Sequence, residues 1–365
     1  MSKVNLDIKR LVVKHNSKVV GYLQDIGNER IAFQYDERWV KEGFSISPFS
    51  LPLSNEVYVS KSNFFKGLFG VFYDSLPDGW GELLLRRTLA KKGISFERLT
   101  VLSRLSLINN IGLGSLTYEP SQEDISNNAF AELDYLANEV KNILIGSPTT
   151  DLDIMYRLGG SSGGARPKAH LIINNEAWIV KFPTIHDPKD IGEREFEANE
   201  LARESGIAVN HSALMVSNSG KQYFAARRFD RFGDKRVHMI SLSAILETTH
   251  QIPNLDYVHL FQVIQKICVD QSDLYEAYRR MCFNVLYGNR DDHGKNFAFV
   301  YDEKLRGYRL SLAYDITRTN DKYEHEMTVL GDGVPSEDKL LEFAKQMDLS
   351  IKKCEEIISK IKSVI

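Results

Sequence analysis

The sequence predicts an α+β chain. Its first part holds short β-rich runs separated by turn residues. A second strand–turn–strand pattern follows a glycine-rich loop at 159–168, and the text from about Ser241 onward is mostly helical. Strand runs followed by helix runs imply layers of each, in place of an alternating parallel sheet. With 365 residues, the chain exceeds what one compact core usually covers, so two or three domains are expected.

The elements follow in order. Residues 10–35 carry β-rich runs broken at Asn16-Ser17 and Gly27-Asn28, which predicts a small antiparallel sheet. "SISPFSLPLS", Ser45 to Ser54, is Pro-broken and predicts an extended or looped segment. "LPDGWGELLLRRTLAKKG" reads as a turn feeding a helix that ends at Gly93. The polar stretch "EPSQEDISNN", Glu119 to Asn128, is the best linker, and "AFAELDYLANEVKNIL" after it has amphipathic helical spacing. "KAHLIINNEAWIVKFPT" predicts a hairpin turning at Asn174-Asn175. "EREFEANELARESGI" predicts a helix stopped by Gly206. The runs "FAFVY" and "YRLSLAY" predict a hairpin around Asp302 to Gly307, and the tail from Glu337 predicts two amphipathic helices.

Composition narrows the class. Apolar residues make up 43% and charged residues 26%, ordinary for a globular protein, and a net charge of −3 gives no global attraction to nucleic acid or anionic lipid. Cys268, Cys282 and Cys354 are odd in number and contain no C-x-x-C pair, so they predict reduced thiols, not a disulfide frame or zinc site. The first twenty residues mix charge with short apolar runs, unlike a signal peptide, and no run reaches membrane-span length. A soluble, cytoplasmic chain with no membrane partner is expected.

Three places carry chemistry. The loop "GGSSGGARPK", Gly159 to Lys168, fails the Walker A template, because Lys168 follows Pro167 and no Ser or Thr follows it. It is either a phosphate cradle or a plain turn. "NRDDHGKNFAF" places Asp291 five residues before Asn296, the spacing at which a kinase catalytic loop sets its base and a metal-binding amide. The hairpin that follows delivers Asp315 beside Asn296, although Asp315-Ile316-Thr317 keeps only the aspartate of the kinase Asp-Phe-Gly. Lys181 lies in the apolar strand "WIVKF". There an ammonium needs anions, such as nucleotide phosphates and a carboxylate on the next helix, unless it lies on an edge and snorkels to water. Glu195 and Glu197 are the carboxylates on that helix, Glu195 being preferred.

Together "SISPFSLPL", "FYDSLPDGWGELLLRR", "GGSSGGARPKAHL", "WIVKFP", "EFEANELARESGI", "RRFDR" and "NRDDHGKNFAF…LAYDI" resemble, in family order, the HipA family, serine/threonine kinase toxins of bacterial type II toxin–antitoxin modules. The resemblance covers most of the chain, and its Pro-Asp-Gly-Trp-Gly and Asp-x-His-x-Lys-Asn elements are the most specific. It implies a bilobal fold of the protein-kinase and phosphoinositide-kinase type. Residues 1–118 would form a small N-terminal α/β subdomain, 119–230 the kinase N-lobe and 231–365 the helical C-lobe.

The resemblance also implies roles. Asp291 matches the catalytic base, Asn296 and Asp315 the magnesium ligands, and Lys181 the nucleotide-phosphate lysine. Ser161, Ser162, Gly163, Gly164 and Lys168 line the nucleotide loop, and the backbone through Ala226, Arg228 and Phe229 forms the adenine hinge. His293 matches a loop-orienting histidine, with Lys295 supporting beside it. Asp292 stands where relatives often have a small residue, which leaves the base assignment less clean, with the spacing favouring Asp291. Ser161, with Ser162 as alternative, matches an autophosphorylated serine whose modification displaces the loop from the nucleotide; the local alternative is that both serines only satisfy loop hydrogen bonds. Ser45 and Ser47 are either further phosphosites or members of a Pro-terminated turn.

The implied cofactors are ATP and Mg²⁺. The implied partners are a helix-turn-helix antitoxin of HipB type, operator DNA only through that antitoxin, and a protein substrate, an aminoacyl-tRNA synthetase. Two other functions fit the same residues: a catalytically weak scaffold that binds an antitoxin as co-repressor, and a lipid or small-molecule kinase.

Overall fold

The computed structural model describes residues 4–61, 64–108, 112–122, 132–149, 151–160, 164–249 and 251–365. The expected positions Ser161, Ser162 and Gly163, and most of the expected linker, lie outside the described residues. The fold is mixed α/β with several antiparallel sheets, divided into two compact units. The first comprises Met1–Glu193, Ala213–Met239 and Ala244–Thr248; the second comprises Arg194–Ser212, Ile240–Ser243 and Thr249–Ile365.

The first unit opens with the expected sheet. Strands β1 (Arg10–His15), β2 (Lys18–Asp25) and β3 (Ile31–Tyr35) pair antiparallel, joined through Asn16-Ser17 and Gly27 to Glu29, all at positive φ. Two strands not foreseen complete it: β4 (Val57–Val59) beside β3 and β5 (Leu116–Glu119) beside β1. Leu11, Val13, Val20, Leu23 and Phe33 fill its buried face. The Pro-broken segment closes as a turn, with a bridge between Ser47 and Leu51. The Ser47 hydroxyl is buried 2.7 Å from that of Ser50, and Ser45 donates to the Leu51 carbonyl, so both serines have turn roles.

A second sheet runs in the order β6 (Lys168–Ile173), β7 (Glu176–Lys181), β9 (Gln222–Arg227), β8 (Ser212–Val216). Asn174 and Asn175 both adopt left-handed φ, the requirement of a tight two-residue hairpin. Trp178 and Val180 of β7 share a core with Trp80, Leu84 and Leu89 of the helix Gly79–Lys91 and with Leu136, Val140 and Ile143 of the helix Leu133–Ile145. Gly146 ends the latter helix at φ +76°, the left-handed cap that glycine adopts without a Cβ penalty.

The helix Ile191–Glu204 carries the chain into the second unit and stops before Gly206, which sits at φ +85°. Helix Tyr257–Ile267 begins at a capping box: the Asp256 carboxylate accepts from Val258 N–H at 2.8 Å, and His259 Nδ1 accepts from Asp256 N–H at 2.9 Å. Helix Ser272–Tyr287 ends at Gly288, again left-handed. The expected tail pair forms as Glu337–Gln346 and Ile351–Lys362, and Phe343 packs edge-on against Phe261 at 4.8 Å. The expected hairpin joins Ala298–Asp302 to Gly307–Leu310, with Asp302 opposite Gly307. Cys268, Cys282 and Cys354 are buried free thiols. Among the described residues, no helix is long and apolar enough to cross a membrane.

Candidate functional site

Within the first unit, the Pro-Asp-Gly-Trp-Gly element supports the glycine loop through its backbone. The Asp78 carboxylate accepts from Gly164 N–H, and the Gly164 carbonyl accepts from Trp80 N–H at 3.1 Å. Trp80 Nε1 donates to the Lys168 carbonyl at 3.1 Å, so one short motif holds the exit of the loop at two points. Gly79 sits at φ +43°, and a Cβ there would stand 2.6 Å from both Ala165 Cα and the Gly164 carbonyl oxygen. Both the dihedral and the contact demand glycine. Gly79→Ala is therefore expected to lower the thermal midpoint by the equivalent of about 1–3 kcal/mol and to weaken nucleotide affinity together. A melt and a nucleotide titration check this, and a variant indistinguishable from the parent in both would remove the motif from the site.

Lys168 and Lys181 are direct partners in the β6–β7 register and therefore share one face of the sheet. Lys168 is buried, and Lys181 Nζ lies 5.6 Å from the centre of the Phe224 ring. In the expected hinge, Ala226 pairs with Ile179, while Ala226 and Phe229 are half-buried. Arg228 is committed elsewhere. Its guanidinium is buried, bonded to the Asp230 carboxylate at 2.8 and 2.7 Å, to His170 Nδ1 at 2.9 Å and to the Gly112 carbonyl at 2.9 Å. Its side chain is part of the framework, leaving only its backbone for a ligand.

Within the second unit, Glu195 is buried and Glu197 exposed on the same helix. The loop Asn289 to Asn296 then distinguishes its two aspartates. Asp292 is fully buried: it accepts from Tyr257 hydroxyl at 2.7 Å, His325 Nδ1 at 2.9 Å and Glu326 N–H at 2.9 Å. Burial, then the neighbouring Asp292 charge, raises the Tyr257 phenol well above its usual range, which keeps it a donor. Asn284 Nδ2 donates to the Tyr257 hydroxyl at 3.0 Å, and Asn284 Oδ1 accepts from Asn289 Nδ2 at 2.9 Å. Asp292 is thus the anchor of the loop. Asp291, by contrast, keeps 40% of its side chain exposed.

Asn296 is oriented by the same loop. Its Nδ2 donates to the Asp291 carbonyl at 2.8 Å and its N–H to the His293 carbonyl at 2.9 Å. With the amide nitrogen committed, the Asn296 carbonyl oxygen is the atom left for a ligand. Gly294 lies in a tight spot, where a Cβ would meet Leu255 Cδ1 and Ser243 Oγ at 2.6 Å. The hairpin returns to this loop: the Tyr314 hydroxyl donates to the Lys295 carbonyl at 2.6 Å. The next residue, Asp315, holds φ +59°, a left-handed conformation that aspartate tolerates better than most residues. Strain of this kind concentrates at ligand sites.

Among the described residues, no cluster of three or more His, Cys, Asp or Glu side chains forms a protein-only metal cage.

Two side chains of this loop region had no sequence signal. Lys322 bonds to Asp291, and His325 to Asp292, from 31 and 33 residues downstream. No motif marks that stretch, and only the three-dimensional pairing exposes it.

The chain thus has a mixed α/β fold and a loop that leaves one aspartate partly exposed beside an oriented asparagine. Residues 160–365 match the family model of the HipA-like C-terminal domain, and residues 11–119 match that of the HipA N-terminal domain. The chain belongs to the HipA family. It is 30% identical over 165 residues to a Sinorhizobium fredii protein named "Putative kinase Y4dM", covering 42% of this chain and 40% of that protein. It is 26% identical over 175 residues to Toxin YjjJ of Escherichia coli, covering 44% of this chain and 38% of that protein. The alignments thus span less than half the length of these relatives. The fold is similar to a chain in the Shewanella oneidensis complex of HipA, HipB and operator DNA, with a TM-score of 0.73 at 19% identity, covering 96% of this chain and 88% of that one.

Proposed function

We propose that the chain is an ATP- and Mg²⁺-dependent serine/threonine protein kinase of bilobal kinase type, acting as a toxin. The observation that carries this reading is the division of labour in one loop. Asp292 is buried and saturated, Asp291 is partly exposed, and Asn296 has its carbonyl oxygen left for a ligand. Asp291 would accept the proton of the attacking hydroxyl. Asn296 and Asp315 would hold Mg²⁺, which neutralises charge developing on the transferred phosphate. Lys181, Lys168 and the loop amides around Gly164 would bind the phosphates, with Glu195 orienting Lys181 and the backbone from Ala226 to Phe229 meeting the adenine. His293 and Lys295 would keep the loop in shape.

The family and the HipB-containing structural relative support a helix-turn-helix antitoxin of HipB type as partner, with operator DNA reached through it. An aminoacyl-tRNA synthetase in the cytoplasm is the proposed substrate. Ser161, or Ser162 beside it, is the proposed autophosphorylation site. Incubation with ATP and Mg²⁺ followed by intact-mass measurement and peptide mapping is expected to show phosphate on the peptide containing Ser161. No transfer to the chain, to a synthetase or to any protein in a lysate would remove the kinase reading.

A further inference from the structure

Lys322 lies in the segment that follows Asp315 and belongs to no motif, yet it reaches back to the exposed aspartate. Its ammonium bonds Asp291 Oδ1 at 2.5 Å and Glu326 Oε1 at 2.7 Å. The segment carrying it is docked independently of this contact. His325 Nδ1 and Glu326 N–H both bond Asp292, and the strand pair Leu255–Asp256 with Met327–Thr328 continues the attachment. The backbone therefore places Lys322 over the loop whether or not the ion pair forms.

A lysine ammonium is a point charge with three donors, unlike a guanidinium fork that takes both carboxylate oxygens at once. Two donors are used here, on one oxygen of each acid. That geometry tethers the Asp291 carboxylate through Oδ1 and leaves Oδ2 outside the pair. Burial acts to lower the Lys322 pKa, but the Asp291 and Glu326 carboxylates outweigh it and raise the pKa, so the residue is held as a cation.

We propose that Lys322 is a positioning residue for Asp291, holding Oδ1 so that Oδ2 faces the acceptor hydroxyl, with Glu326 holding Lys322 in turn. The catalytic part of this statement rests on the kinase reading above; the pairing does not. A base whose rotamer is released loses alignment, and small misplacements of reacting groups cost up to about 100-fold in rate.

Two measurements test it. In competitive amine acylation read by peptide mass spectrometry, Lys322 should react more slowly than exposed Lys304, and Asp291→Asn and Glu326→Gln should each speed Lys322 severalfold while leaving Lys304 unchanged. Unchanged Lys322 labelling in Asp291→Asn would overturn the pairing. In phosphotransfer, Lys322→Met should lower kcat by about 10- to 100-fold with nucleotide KM unchanged. The same change in the Asp291→Asn background should cost nothing further, because the group it positions is already gone. Additive losses, or a loss confined to KM, would overturn the positioning role. Absence of phosphotransfer in the parent chain, with labelling as expected, would leave the ion pair standing and remove the kinase reading instead.

Discussion

Asp291→Ala and Asp292→Ala are expected to fail in opposite ways. Asp291 is partly exposed and its one ion pair is with a partly exposed lysine, a contact worth no more than about 1 kcal/mol. Its removal should leave the melting behaviour nearly unchanged while lowering phosphotransfer by about 10²- to 10⁴-fold, the range of a lost general base. Asp292 is the reverse. Removing its buried carboxylate strands the Tyr257 hydroxyl and the His325 ring and leaves the Glu326 amide only its longer bond to the Arg290 carbonyl. Leaving buried partners of an acid uncompensated costs about 3–5 kcal/mol. That is a large fraction of the stability of a domain, so this variant should be poorly folded, and inactive for that reason. Thermal melts followed by circular dichroism, run beside single-turnover phosphotransfer, separate the two. A folded but inactive Asp292→Ala together with an active Asp291→Ala would reverse the assignment of the base.

The contrast shows where sequence reading reaches its limit. The five-residue spacing from Asp291 to Asn296 is local and can be read directly from the chain. The groups that bury Asp292 lie 33–35 residues away in either direction, so nothing near the loop announces which aspartate is the anchor. The hairpins at Asn174-Asn175 and Asp302 to Gly307 were legible for the same reason that the spacing was: turn residues and flanking alternation are both local. Strand β5 was not, because it joins β1 from a hundred residues downstream through backbone pairing that leaves little pattern in four residues. The motif Pro-Asp-Gly-Trp-Gly was visible as a specific run, yet its role depends on which backbone Gly79 meets. The hinge expected at Ala226 to Phe229 concerns backbone alone; the partners of the Arg228 side chain, His170 and Gly112, come from distant segments that no local pattern marks.

Those partners give the first unit an expected sensitivity to acid. His170 and His238 are both buried there and held below the usual imidazole range. Burial is the main cause for both, followed by the Arg228 charge for His170 and His15 for His238, which is pushed down to about 3. A histidine kept neutral by the fold but free to protonate when unfolded makes stability greatest above an unfolded pKa of about 6.5. Below that pH, each such residue removes about 1.4 kcal/mol per pH unit until its folded pKa is reached. His238 alone implies a loss of about 2 kcal/mol between pH 6.5 and 5, and His170 adds to it in the same direction.

Asp230 adds to this at lower pH. Burial pushes its carboxyl up, but Arg228 and Arg231 outweigh burial and hold it below the usual carboxylate range. A depressed acid stabilises the fold above its unfolded pKa of about 4 and loses that contribution as pH falls towards its folded value. The three tryptophans of the chain, Trp39, Trp80 and Trp178, all lie buried in the first unit, so their fluorescence reports this unit selectively. The urea midpoint read by tryptophan emission should fall from pH 7 to pH 5 and fall more steeply below pH 4. His238→Gln, which can still donate to the Ile46 carbonyl that His238 Nε2 bonds at 2.9 Å, should remove one histidine's share of the slope above pH 4. A midpoint that stays level between pH 7 and 5 would mean that water or a rearranged network reaches these imidazoles and lets them charge within the fold.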